Sequence, residues 1–189
     1  MRLVWQIFSN ELLRLEWTHD ARPHAFVLMP NHIHLLISTP DGAIDSSARQ
    51  LFSRTTRQLN WALGRSGRIF GAPYFRTLIA SPLYFRHAMK YVYRNPVKAR
   101  LCESVDEYEF STLRGLLGAA RLPFPLHLPL HEDFTAALPG ETAADWLTWL
   151  NEPYGAEAEE LLQNALRSSR VLEVILDRST RRPAECLRS

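Results

Sequence analysis

Apolar residues recur along this chain with two different periods, and the switches between them mark out the elements. Leu12, Leu13 and Leu15, set among polar partners, predict a helix over Ser9 to Trp17 with Ser9 or Asn10 as its cap. His24 to Met29 is a short apolar run, Pro30-Asn31 is a turn pair, and His32 to Ser38 alternates. These two runs predict an antiparallel hairpin. Thr39-Pro40-Asp41-Gly42 reads as a loop. A helix follows from about Ser46 to Leu63, because Ile44, Ala48, Leu51, Phe52, Thr55, Leu59, Ala62 and Leu63 recur at spacings of three and four. Gly64 to Gly67 ends it. Tyr74 to Ile79 is a strand candidate. Ser81-Pro82 opens another helix, with serine as cap and proline in the first turn. That helix runs to about Arg94, where Asn95-Pro96 should end or kink it.

Up to about residue 95 the predicted order is α-β-β-α-β-α, which specifies an α+β fold: an antiparallel sheet packed with helices. After Leu101 the texture changes. Leu122 to Pro139 is rich in proline and reads as a connector, whereas Ala143 to Leu150 and Glu157 to Asp177 read as helical. The tail from Arg178 is expected to be loose. The division expected from this is a domain over 1–120 and a proline-rich connector with a helical C-terminal extension over 121–189.

Composition sharpens this only in places. The chain has 189 residues, of which 46% are hydrophobic, so wholesale disorder is excluded. No run is long and apolar enough to span a bilayer, and the N-terminus lacks a signal-peptide pattern, so a cytoplasmic, nucleoid-associated location is expected. Cys102 and Cys186 are far apart and in no metal or redox spacing. Net charge is only +2, but its distribution is uneven. From Arg49 to Arg100 there is no Asp or Glu, while Arg49, Arg54, Arg57, Arg76, Lys90 and Arg94 stand among aromatic residues. A long segment of one sign fits phosphate contacts, and these six are the candidate DNA-binding residues. The bland reading is a solvated basic face.

Two constellations carry candidate chemistry. In His32-Ile33-His34 the imidazoles share one face of a strand and can share a divalent metal, while Ile33, Leu35 and Ile37 point into the opposite layer. A bare His-x-His is a weak signal on its own. The second constellation is Tyr91 with Asn95, four apart on the predicted helix and in one stripe with Tyr84 and, nearly, His87. The opposite stripe, Phe85, Ala88, Met89 and Val92, is the natural core face. Trp61, Phe70, Tyr74 and Phe75 can stack bases, although burial tendencies favour a core role for each.

These residues lie in recognisable company. His24 to Leu36, HAFVLMPNHIHLL, resembles the signature of the single-tyrosine HUH transposases (the IS200-like group), and most of all that of the REP-associated tyrosine transposases. Tyr91 to Leu101, YVYRNPVKARL, is similar to the second family motif. Gly67 to Ile79 resembles the strand between them, and Tyr108 to Thr112, YEFST, a weaker downstream block. The resemblance implies a ferredoxin-like palm, with Tyr91 as nucleophile and His32, His34 and Asn95 as ligands of Mg²⁺, for which Mn²⁺ can substitute. It also implies cutting and rejoining of single-stranded hairpin DNA, of the kind found in repetitive extragenic palindromes, through a 5′-phosphotyrosine, by a monomer or homodimer.

Tyr93 stands where the family often has histidine and is the second candidate nucleophile. Three departures stand out. The family fold begins with a strand before its first helix, so Met1 to Phe8 supplies either a stunted strand or none. Where the family carries glycine near the end of the second motif, this chain has Arg100, and Phe110 replaces a downstream tryptophan. The alternative function is a non-catalytic DNA-binding regulator derived from such a transposase. A His-x-His hydrolase on a barrel of about 250 residues is excluded by length. A nuclease using metal-activated water predicts cleavage that survives loss of Tyr91.

Overall fold

The computed structural model describes residues 1–39, 42–71, 76–129, 132–140, 142–155 and 173–175. The predicted elements within 40–41, 72–75, 156–172 and 176–189, including part of the Tyr74 to Ile79 strand, most of the Glu157 to Asp177 helix and the tail, lie outside these residues.

The predicted order holds: α1 (Arg2–His19), β1 (Arg22–Leu28), β2 (Ile33–Ser38), α2 (Ile44–Ala62), β3 (Thr77–Ile79) and α3 (Pro82–Lys98). Short helices α4 (Leu113–Leu116) and α5 (Glu132–Ala136) follow, then α6 (Ala143–Asn151) and a strand β4 (Glu173–Ile175). The fold is α+β, with the antiparallel β1–β2 hairpin packed between helices. β4 lies between β2 and β3 in the order β1-β2-β4-β3 and runs parallel to both neighbours. The helix expected through Asp177 is therefore corrected at 173–175. The β-branched residues Val174 and Ile175 suit a strand, and the apolar spacing of so short a run does not separate the two structures.

Two further boundaries are corrected. The first helix starts at Arg2 rather than Ser9, so Met1 to Phe8 forms no strand and Ser9 is buried mid-helix instead of capping. α3 does not stop at Asn95-Pro96 but continues to Lys98. Pro96 can donate no backbone hydrogen bond, and in that same turn the Asn95 amide donates through Nδ2 to the Tyr91 carbonyl at 2.7 Å. The start of α3 is as expected, with the Ser81 hydroxyl accepting from the Tyr84 amide and Pro82 in the first turn. Within α2, Ala62 and Leu63 are exposed and only the earlier apolar positions face the core.

Strand alternation divides the molecule into two cores. Phe26, Leu28, Ile33, Leu35 and Ile37 face α1 and α2, where Phe8, Leu12, Leu15, Ala48 and Leu51 meet them. Ala25, Val27, Met29 and Leu36 face α3 through Phe85, Ala88, Met89 and Val92, the stripe read from the sequence as core. The connector is packed in part: Phe124 is buried in the first core, and the His127 amide donates to the Pro23 carbonyl at 2.9 Å.

Polar groups pin these layers. Buried Glu11 on α1 accepts from Arg54 Nε at 2.7 Å and from Gln58, joining α1 to α2. On β1 a register shift between Pro23 and Ala25 accompanies His24, whose ring meets Phe85 edge-on. His24 Nδ1 donates to the His127 carbonyl at 2.6 Å, so its Nε2 accepts from the Ser38 hydroxyl at 3.0 Å. Burial lowers the His24 pKa to about 4, so the ring is held neutral.

Candidate active site

β2 and α3 build the site between them. The hairpin closes with the Met29 amide donating to the His32 carbonyl at 2.9 Å, which sets His32 at the mouth of β2 and His34 one alternation further on. His34 pairs with Val27 across the hairpin, and its side chain shares the α3 side of the sheet with Leu36. There the two imidazoles converge. His32 Nε2 lies 3.0 Å from His34 Nε2, with the rings nearly perpendicular. Tyr91 comes down from α3, its ring centroid 5.4 Å from that of His34 and edge-on at 87°. The three side chains thus meet within one chain.

The electrostatics suit a cation. Burial, and then the neighbouring His32, push the His34 pKa down to about 3, and burial also lowers that of His32. Both rings are neutral at pH 7, the form in which imidazole ligates metals. Two nitrogens 3.0 Å apart are spaced as neighbouring ligands of one ion at about 2.1 Å from each, which would subtend roughly a right angle. With Nδ2 committed to the Tyr91 carbonyl, the Asn95 amide keeps its Oδ1 for other use, and this is its one hydrogen bond among the described residues. No group of three or more His, Cys, Asp or Glu side chains suited to a metal occurs among the described residues.

Tyr93 fares differently from Tyr91. It is buried, 1% exposed, its hydroxyl within 3.1 Å of the Thr112 hydroxyl, and burial pushes its pKa upward. A phenol enclosed in the core cannot meet a phosphate, so the second candidate nucleophile is set aside. Thr112 also explains the downstream block. Its amide donates to the Phe26 carbonyl at 2.9 Å, the Leu28 amide donates to the Phe110 carbonyl at 2.9 Å, and the Tyr108 hydroxyl donates to the Leu28 carbonyl at 2.8 Å. YEFST therefore covers the outer edge of β1 and ties it to the helix that carries Tyr91. Asn31 was passed over by motif reading as a turn residue, yet its Oδ1 lies 2.6 Å from His32 Nδ1.

The six candidate phosphate-binding cations separate into groups. Arg49 and Arg57 are exposed and make no ion pair or hydrogen bond among the described residues. Arg54 is held by Glu11, and Arg76 Nη1 pairs with Asp45 at 2.8 Å. Lys90 is 5% exposed, with its ammonium over the Trp149 ring at 5.3 Å and the Tyr154 ring at 5.2 Å; burial is the main cause of its lowered pKa. Arg94 Nη1 donates to the Leu150 carbonyl at 2.6 Å. Sequence spacing could not anticipate this, because α6 and Tyr154, which cover Lys90 and Arg94, lie some fifty to sixty residues on. Of the aromatic residues considered for stacking, Trp61 is 87% exposed and Phe70 packs against the first core; Tyr74 and Phe75 lie outside the described residues.

Comparison with known proteins gives one measured likeness. Over 108 residues, 57% of this chain, the sequence is 26% identical to the REP-associated tyrosine transposase of Escherichia coli (strain K12). The match spans 64% of that relative, a little under two thirds of its length. No protein-family model matches the chain, and no solved structure matches it. No helix among the described residues is long and apolar enough to cross a membrane.

Proposed function

We propose that this chain acts as a single-tyrosine transposase that cleaves and rejoins single-stranded, hairpin-bearing DNA, with Tyr91 as nucleophile. The observation that carries this reading is the convergence of the Tyr91 ring on His34, whose Nε2 meets that of His32 at 3.0 Å. The partial likeness to a REP-associated tyrosine transposase supports the same reaction class.

The chemistry is a phosphodiester exchange. The Tyr91 oxygen attacks phosphorus and loses its proton, the bond to the 3′ oxygen breaks, and that oxygen leaves as a 3′-hydroxyl after taking up a proton. The product is a 5′-phosphotyrosine, so a second 3′-hydroxyl can reverse the step without a nucleotide cofactor. His32 Nε2, His34 Nε2 and the Asn95 amide oxygen would hold a divalent cation, Mg²⁺ with Mn²⁺ as a substitute. When bound it supplies charge neutralisation at the scissile phosphate. Helix α3 serves as a post: its apolar stripe is locked in the second core, which holds Tyr91 at a fixed height over β2. Of the six candidate cations, Arg49 and Arg57 on α2 are the two left free to meet DNA phosphates, with exposed Trp61 one turn beyond Arg57 offering a face for an unpaired base.

The test is covalent capture. Incubated with Mg²⁺ and an end-labelled hairpin oligonucleotide with single-stranded flanks, the protein should form an adduct that survives denaturing electrophoresis. Tyr91→Phe should reduce adduct and cleavage at least about a thousandfold, and chelation should do the same, whereas Tyr93→Phe should keep both. Cleavage that survives Tyr91→Phe without an adduct would indicate metal-activated water. Binding with no cleavage by either protein would indicate a DNA-binding regulator.

A further inference from the structure

His32 and His34 reach their meeting point by different means. His34 is 2% exposed and walled by Tyr91, and its Nδ1 has no hydrogen-bond partner among the described residues. Beyond its contact with His32 Nε2, packing aims that ring. His32 is exposed, at the mouth of the strand where the turn leaves off. Apart from His34 itself, the group that holds His32 by hydrogen bonding is Asn31, whose Oδ1 lies 2.6 Å from Nδ1.

The chemistry of that contact fixes a proton. An amide oxygen has no hydrogen to give, so the imidazole must donate from Nδ1. A neutral ring protonated at Nδ1 carries a bare lone pair on Nε2, and Nε2 is the atom that faces His34. We propose that Asn31 is a positioning residue, holding His32 in the tautomer and rotation that turn its Nε2 lone pair toward a shared divalent cation. This rests on reading the histidine pair as a cation site. The rival account of Asn31 is turn formation alone, in which the carboxamide would bond nearby backbone, whereas its described hydrogen bond is to the His32 ring. Because Asn31 is exposed and has no other described hydrogen bond, its replacement leaves both cores intact.

The experiment uses the full chain and Mn²⁺ as the probe, with two variants. In the metal-free protein, imidazole ¹⁵N shifts should show His32 as the Nδ1–H tautomer. Asn31→Ala should lose that preference, and Asn31→Asp, which keeps an oxygen acceptor in place, should restore it. Calorimetric titration should find Mn²⁺ binding weakened about 10- to 100-fold in Asn31→Ala, the usual cost of losing an outer ligand to a metal-binding histidine, and recovered in Asn31→Asp. Melting temperatures of all three should agree. An unchanged His32 tautomer or unchanged Mn²⁺ affinity in Asn31→Ala overturns the proposal. A wild-type chain that takes up no Mn²⁺ overturns it together with the cation site. If Mn²⁺ binds, Asn31→Ala weakens it, and Tyr91→Phe still cleaves, then the phosphotyrosine reading fails alone and the role of Asn31 stands.

Discussion

The helical layers on the two sides of the sheet use their cations in opposite ways. On the α2 side, Arg49 and Arg57 extend into solvent, and the one cation drawn inward, Arg54, meets Glu11 of the neighbouring helix. On the α3 side, Arg86, Lys90 and Arg94 form a stripe that the C-terminal part of the chain has roofed over. Arg86 donates to the Ala137 carbonyl at 3.1 Å and lies 5.2 Å over the Trp149 ring, the ring that also covers Lys90. Both stripes come from the same acid-free segment, and nothing in their local sequence separates them. The difference teaches that a charge footprint counts cations, whereas the fold decides which of them can reach a phosphate. The α3 cations act as struts that fix the helix carrying Tyr91, and the α2 cations remain available to a polyanion.

The largest consequence concerns stability. Trp146 on α6 is 9% exposed and belongs to the second core, whereas Trp61 at the end of α2 is 87% exposed. If the roof is part of the fold, Trp146→Ala should cost about 3 kcal/mol or more in urea denaturation. Trp61→Ala should stay within about 0.5 kcal/mol, as a surface change does. Equal costs would mean that the two layers are not built differently, and the comparison would fail at its root.

A smaller effect, on affinity, separates cations within α2. Arg57→Ala should weaken binding of a single-stranded oligonucleotide and lower the slope of log affinity against log salt by about 0.7, the share of one phosphate contact. Trp61→Ala should weaken it about tenfold, within the roughly 1–3 kcal/mol that a stacked base is worth, with the salt slope unchanged. Arg54→Ala should leave the slope as it was, because its guanidinium already serves Glu11. A slope that responds to Arg54 and ignores Arg57 would reverse the assignment.

The legibility of this molecule followed the range of the interactions concerned. The hairpin, the amphipathic α2 and the core stripe of α3 could be read from sequence, because periodicity is a local property that burial then respects. The shared face of His32 and His34 could be read for the same reason, since strand alternation alone sets it. What could not be read depends on distant partners. Lys90 looks like a solvated cation until Trp149 and Tyr154 close over it. Tyr93 looks like a rival to Tyr91 until Thr112 takes its hydroxyl. Pro96 looks like a helix end because the proline rule is local, while burial of Pro96 and the packing of Val97 against the second core carry α3 on to Lys98. Arg2 to Phe8 escaped as helix because its residues show no clean stripe and no side-chain cap marks its start.

The smallest predicted effect sits at the end of α3 and tests whether every cation of that layer is structural. Arg100 has φ of +57°, the left-handed region that favours glycine, at the position where the family it resembles carries one. The geometry there is a Schellman close: the Leu101 amide donates to the Pro96 carbonyl and the Arg100 amide to the Val97 carbonyl, both at 2.9 Å. A side chain in that conformation costs roughly 1–2 kcal/mol relative to the right-handed region. Glycine removes the strain but gives back part of the gain through the greater freedom of its unfolded chain. Arg100→Gly should therefore raise stability by up to about 1 kcal/mol, read as a modest rise in the urea midpoint. The guanidinium is exposed and makes no ion pair among the described residues, so DNA affinity decides what its charge is for. Affinity and salt slope that hold in Arg100→Gly leave the α2 layer as the one that meets phosphate. A slope that falls by about 0.7 would place a phosphate contact on the α3 side after all, one that is kept at the expense of backbone strain.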